Sequence, residues 1–287
     1  MTDEQVPWPW RGLDQHTEEA QSSEKVGIWL GRIYEGLDLI AYMINLATTS
    51  LNETEKATNV LAALACYTRA FRGIRAATIL STSGLYLEAR VYARDIYESA
   101  SLARMLANRP DKADSWMLAN RWINDNEVRQ YAQNFTAPGM PIQDSAYRQY
   151  YQLASDIHHP TARACLPLVL TDPSSPCAPQ LTPDYNEDAL SNSLAEIALE
   201  CGFVCLTMIN AAAGPEVIPP LWRQAVTEFI TAIGAGADWA HLERDWQAEA
   251  DLFADLATHV VPADQLAALL RDHPNSLDNV RARRDQN

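Results

Sequence analysis

Residues 84–98 read GLYLEARVYARDIYE, a stretch with a helical pattern of apolar residues that also carries charges among them. Arg94 and Glu98 stand four residues apart, so at about 100° per residue they lie within roughly 40° of each other on a helix. Leu87 and Val91 fall on the same side of that helix. We therefore expect the two charges to be buried or to face a pocket.

The composition of the chain predicts an all-α protein. The 287 residues are 47% hydrophobic and include only 11 glycines. Alanine, leucine and glutamate recur at helical spacings, and alternation of β-branched residues is nearly absent. We expect a multi-helix bundle of about eight or nine helices.

Glycine, proline and capping residues divide this pattern into segments. The predicted helices cover about 23–49, 53–80, 85–108, 111–134, 144–157, 186–212, 219–233, 237–260 and 262–271. We expect a flexible N-terminal arm over 1–22, a single all-helical domain over 23–273 and a frayed tail over 274–287. Six prolines interrupt helix formation in a crossover segment at 158–185.

Charge is distributed unevenly along the chain. The formal net charge of -15 argues against binding to nucleic acids or anionic membranes. Residues 57–110 nevertheless carry seven arginines and three carboxylates, whereas residues 187–280 carry fifteen carboxylates and three arginines. The basic segment therefore suits a small anionic ligand, a protein partner, or docking against the chain's own acidic half.

The cysteine content and the apolar runs predict where the protein resides. Five cysteines occur without a secretory segment, and this favours a reducing, cytoplasmic location. No uninterrupted apolar run approaches the length of a membrane span. The sequence is compatible with a homo-oligomer.

Two adjacent histidines follow the predicted helix at 144–157. His158 and His159 stand at its end, where the helix dipole favours a protonated imidazole, and Pro160 fixes how the chain leaves. A histidine here could act as acid, base or ligand, and it could equally cap the last carbonyls of the helix. Both interpretations stay open at this stage.

Two short motifs in this region resemble those of a known group. The helix pattern Glu-Ala-x-x-x-x-Arg-x-x-x-Glu at 88–98 and the pattern Ser-x-x-x-His-Pro at 155–160 resemble a loosely defined group of bacterial all-helical proteins without an assigned activity. The resemblance implies a helical fold in which Arg94, Glu98 and His159 cluster.

The charged helix and the histidines together suggest a binding site. We expect a pocket lined by Arg90, Arg94, Glu98, His158 and His159 that takes an anionic group or a partner segment. The function that follows is that of a binding or regulatory protein. A structural ion pair on the helix is the competing interpretation.

A further likeness suggests an alternative function. The RNA-cleaving helical domains of bacterial toxin and abortive-infection systems are marked by an arginine followed a few residues later by a histidine on a helix. The formal match here runs from Arg11 to His16, and it departs from a good helix pattern at Gly12. The resemblance implies a toxin-type ribonuclease of a bacterial defence system.

The late helix at 237–260 suggests another alternative, a helical di-iron or manganese oxidase. His241, Asp255 and His259 are the candidate ligands, because carboxylates and histidines on facing helices bind these metals. The Glu-x-x-His pair typical of such sites does not occur in the chain. We therefore predict no cofactor, with iron or manganese only under this alternative.

Overall fold

The computed structural model describes residues 13–53, 58–118, 123, 127–128, 136–137, 140–141, 185–211 and 218–236. The chain divides into two compact units. All described residues belong to the first, which consists of Met1–Ala154 and Asp184–Ala237. The second unit, Ser155–Pro183 and Asp238–Asn287, lies outside the described residues.

Helices make up nearly all of the described residues, and this confirms the all-α class. The seven with described bounds are α1 (Leu13–Ser22), α2 (Glu24–Glu53), α3 (Thr58–Thr82), α4 (Tyr86–Asn108), α5 (Pro110–Leu118), α6 (Glu187–Ala211) and α7 (Pro220–Gly236). A two-residue antiparallel pair, β1 (Thr136–Ala137) with β2 (Met140–Pro141), places Thr136 opposite Pro141.

Capping residues explain where two of the long helices begin. Ser23 precedes α2, and its Oγ accepts a hydrogen bond from the backbone N–H of Val26 at 3.3 Å. Asn186 precedes α6, and its Oδ1 accepts one from the N–H of Ala189 at 2.9 Å. These side chains satisfy donors that a helix start leaves unpaired, so the predicted starts at about 23 and 186 agree with the structure.

The predicted turn at Gly84 joins α3 to α4. Gly84 has a φ of 83°, which a residue without Cβ adopts at little cost. The N–H of Leu85 donates to Leu80 O at 2.9 Å, and the N–H of Gly84 donates to Ser81 O at 3.0 Å. This pair of bonds is the Schellman motif that ends a helix.

The N-terminal segment 1–22 is helical over its described residues. The expected flexible arm over 1–22 contains α1, and the His16 side chain of that helix is buried. Its Nδ1 lies 2.9 Å from Thr82 O and its Nε2 lies 2.6 Å from Tyr86 Oη. The mostly polar sequence of α1 has no apolar stripe that would predict this contact. The helix is anchored by the hydrogen-bonded His16 and by the buried Ala20.

Several predicted segments lie outside the described residues. They are most of 119–134, the helices at 144–157, 237–260 and 262–271, the crossover segment at 158–185, and the tail over 274–287. The total of eight or nine helices and the single domain over 23–273 therefore stay predictions.

The helix α6 lies at the centre of the described bundle, packed against α2, α3, α4 and α7. Its fully buried apolar side chains are Leu190, Leu194, Ala198, Cys201, Val204 and Cys205. Of the helices the structure describes, α6 alone is long and apolar enough to cross a membrane, over Glu187–Ile209. About two thirds of its apolar stretch (67%) is buried inside the protein. Core helices of soluble proteins share this property.

Candidate functional site

Arg90 of α4 forms an ion pair with Glu196 of α6. Its Nε donates to Glu196 Oε2 at 2.9 Å and its Nη2 donates to Oε1 at 2.6 Å. The two side chains are only 19% and 18% exposed. The contact joins the basic segment of the chain to its acidic half, which is the internal docking that the charge distribution allowed.

Arg94 and Glu98 pair along α4. The Nε of Arg94 donates to Glu98 Oε1 at 2.8 Å, and the side chains are 16% and 37% exposed. The guanidinium is thus largely covered while the carboxylate reaches solvent. The pair is formed as the spacing suggested, and a ligand-binding role for it stays a prediction.

A buried carboxyl group lies one helical turn beyond Glu196. Glu200 is buried, and its Oε2 has no hydrogen-bond partner within the described part of the chain. Burial raises the pKa of this carboxyl well above its usual range. The sequence does contain the signal, because an acid stands between Leu199 and Cys201 on a mostly apolar helix, but Glu200 belongs to none of the predicted motifs.

Glu200 borders a cavity of about 10 Å³ between α3, α4 and α6, which has room for about one water molecule. Its lining residues are Ala77, Ala89, Arg90, Ala93, Ile96, Ser193, Glu196, Ile197 and Glu200. Beside it, the buried hydroxyls of Ser81 and Ser193 lie 2.7 Å apart and form a hydrogen bond between α3 and α6. We call this region, defined by Arg90, Glu196, Glu200 and Ser193, the polar seam.

A much larger cavity lies between α2, α3 and the last turns of α4 and α6. Its volume is about 330 Å³. The lining residues are Met43, Ile44, Leu46, Ala47, Ser50, Asn59, Val60, Ala63, Leu64, Tyr67, Ala107, Met208 and Ala211. None of these side chains is charged. We call it the apolar cavity. No motif in the sequence predicted it.

Asn59 and Tyr67 are two polar residues on the wall of the apolar cavity. Asn59 Nδ2 donates to Ala107 O at 2.9 Å, which ties the start of α3 to the end of α4. Tyr67 is buried, and that burial raises the pKa of its hydroxyl although Thr207 and Arg104 act to lower it. The described residues of the wall therefore offer no ionised group at neutral pH.

His16, the histidine of the toxin-like motif, is engaged in the structure. Thr82 O can only accept, so Nδ1 donates to it at 2.9 Å, and Nε2 forms a hydrogen bond of 2.6 Å with the Tyr86 hydroxyl. The hydroxyl is itself anchored at the start of α6, because it lies 3.3 Å from Asn186 O. Both ring nitrogens thus form hydrogen bonds within the fold, and neither is free for proton transfer in this arrangement.

The remaining predicted site residues cannot be placed. His158 and His159, and the candidate metal ligands His241, Asp255 and His259, lie outside the described residues. Over the part of the chain that the structure does describe, no group of three or more histidine, cysteine, aspartate or glutamate side chains could hold a metal ion. The iron or manganese alternative stays a prediction.

No protein-family model, curated protein or solved structure matches this chain. The two cavities and the charges around them are therefore the features that bear on function. The resemblances to bacterial helical proteins and to toxin domains stay predictions.

Proposed function

We propose that this chain is a helical binding protein that takes a small, uncharged, apolar molecule into the apolar cavity. The observation that carries the proposal is a partly open cavity of about 330 Å³ whose thirteen described lining residues include no charged side chain. Ligand sites in proteins are typically concave and mostly apolar, with volumes from about 300 Å³ upwards.

The volume limits the size of the ligand. At about 30 Å³ for each water-sized atom, the apolar cavity holds about ten non-hydrogen atoms. Water inside it would find few hydrogen-bond partners, because the wall is mainly Met, Ile, Leu, Val and Ala. Replacement of that water by an apolar molecule is favourable, because it removes apolar surface of both the ligand and the cavity wall from water.

The site differs from the one that the charge pattern suggested. An anionic ligand at Arg90 or Arg94 would compete with the carboxylates of Glu196 and Glu98, which already accept hydrogen bonds from these guanidinium groups. Such a ligand would leave a displaced carboxylate in a partly buried position, which is unfavourable. The geometry therefore supports the apolar cavity over the charged helix as the binding site.

The enzymatic alternatives have separate tests. A toxin-type ribonuclease should arrest growth or cleave RNA on expression, and the effect should vanish in His159→Ala. An iron or manganese oxidase should contain metal after growth in metal-rich medium, and the content should fall in Asp255→Ala. Both residues lie outside the described part of the chain, so the described geometry adds support to neither.

Naphthalene is a suitable probe, because it is uncharged and has about the size that the cavity admits. Isothermal titration of the full chain should show saturable binding of one molecule with a Kd below about 1 mM. Ala63→Leu places extra carbon atoms in the cavity and should abolish the binding. Ala65→Leu makes the same change on the exposed side of α3 and should leave it intact.

The charge of the ligand is tested by 1-naphthoate. The proposal predicts that this anion binds more weakly than naphthalene. No saturable binding of naphthalene, or equal binding in Ala63→Leu, would refute the proposed site. Tighter binding of 1-naphthoate that is lost in Arg94→Ala would favour the anionic site instead.

A further inference from the structure

We propose that the polar seam is a pH-dependent switch in which ionisation of Glu200 draws Arg90 from Glu196, loosens α6 from α4 and weakens binding in the apolar cavity. The part that concerns ligand binding rests on the proposed function. The switch itself rests on a separate observation. Within the described part of the chain, the buried Oε2 of Glu200 has no hydrogen-bond partner, and the Arg90–Glu196 ion pair borders the same cavity.

The seam places one cation opposite two carboxyl groups. Glu196 and Glu200 are four residues apart on α6, so they lie on one face, and both border the same small cavity as Arg90 of α4. A guanidinium has five N–H donors, and two of those of Arg90 serve Glu196. Arg90 is therefore the described cation that borders the same cavity as both carboxyl groups.

The other elements that pack against α6 supply no second cation to this cavity. Among its described lining residues, α4 contributes Arg90, α6 contributes Glu196 and Glu200, and α3 contributes Ala77. The helices α2 and α7 contribute none. Cys201 lies next along α6, and burial raises the pKa of its thiol, so it adds no charge near neutral pH. Arg90 is thus the only described counter-charge that the cavity offers to an ionised Glu200.

Ionisation of Glu200 changes the balance of the seam. Two carboxylates would then share a single guanidinium in a region largely closed to solvent, and one negative charge would stay uncompensated. Such a charge requires water or a rearranged ion pair. Because the pKa of Glu200 is raised in the fold, the closed seam is most stable at low pH and weakens as the pH rises through that pKa.

The seam is connected to the apolar cavity through two helices. Glu200 and Met208 are eight residues apart on α6, which is about 12 Å along the axis. Arg90 and the cavity residue Ala107 likewise share α4. Separation of α4 from α6 at the seam would therefore move two walls of the apolar cavity.

The test measures naphthalene affinity at about pH 6 and about pH 9, since this probe has no titratable group. In the natural chain we expect binding about fivefold weaker at the higher pH. Glu200→Gln keeps the shape but cannot ionise, and its affinity should not change with pH. Glu228→Gln makes the same change at an exposed site on α7 and should behave as the natural chain.

Hydrogen exchange without ligand separates the switch from the proposed function. After correction for the intrinsic pH dependence, amides of α6 around residues 196–204 should exchange faster at the higher pH in the natural chain and not in Glu200→Gln. A naphthalene affinity that is constant with pH, or the same pH dependence in Glu200→Gln, would overturn the coupling. Identical exchange in both proteins would overturn the switch. Failure of naphthalene to bind at either pH would refute the proposed function and leave the exchange result to decide the switch.

Discussion

Arg90 of α4 joins the basic part of the chain to its acidic half through a largely covered ion pair with Glu196 of α6. Arg90→Ala should lower the free energy of unfolding by about 2 kcal/mol or more, because Glu196 would lose its counter-charge while partly buried. Chemical denaturation monitored by circular dichroism measures the change.

Arg69 supplies the matched control for that prediction. It also pairs with a carboxylate on a neighbouring helix, Asp95 of α4, but its side chain is 69% exposed. Arg69→Ala should therefore cost less than about 1 kcal/mol. Equal losses in the two variants would show that the Arg90 pair is no more than a surface contact.

The charged residues show how far spacing alone can lead. The Arg94 and Glu98 pair follows from positions four apart on one helix, and the structure contains it. The partner of Arg90 could not be predicted, because Glu196 is more than a hundred residues away and meets it only through the packing of α4 on α6. The lone Glu200 was visible in the sequence as an acid on an apolar helix, but its burial depends on the same packing.

At the scale of the helices, the close approach of α2 to α6 and α7 depends on one glycine. A Cβ added at Gly36 would lie 2.6 Å from Cys201 Cβ and 2.8 Å from Phe229 Cζ. Gly36→Ala should thus destabilise the protein by about 1–3 kcal/mol through overpacking. Differential scanning calorimetry would show a lower Tm.

Substitution of Gly31 on the same helix by alanine should change the stability in the opposite direction. It is exposed, and a Cβ there would meet nothing within 4 Å. Gly31→Ala should raise the stability by about 0.5–1 kcal/mol, because alanine restricts the unfolded chain and favours the helix. A stabilised Gly36→Ala variant would contradict the packing described for the three helices.

Most helix ends were predictable, and α1 was not. The starts of α2 and α6 carry Ser and Asn caps, and Gly84 ends α3, so the local sequence contains the information. The position of α1 depends in part on long-range hydrogen bonds from His16 to Thr82 and Tyr86. The periodicity of the local sequence does not predict such contacts.

At the scale of the whole molecule, composition predicted the all-α class but not the apolar cavity. The class follows from helical spacing along the chain. The cavity follows from how the side chains of four helices fill space where α2, α3, α4 and α6 meet, with small residues such as Ala47, Ala63 and Ala211 on its wall. A void of this kind is a property of three-dimensional packing and has no signature in one sequence.

Uptake of a small apolar molecule into that cavity is tested most directly by NMR of the full chain labelled at its methionine methyl groups. Met43 and Met208 line the cavity, whereas Met105 is buried elsewhere on α4. On titration with naphthalene, the Met43 and Met208 signals should shift together and saturate, Met105 should stay unchanged, and Ala63→Leu should remove the shifts. Unchanged Met43 and Met208 signals, or shifts that persist in Ala63→Leu, would contradict binding at this site.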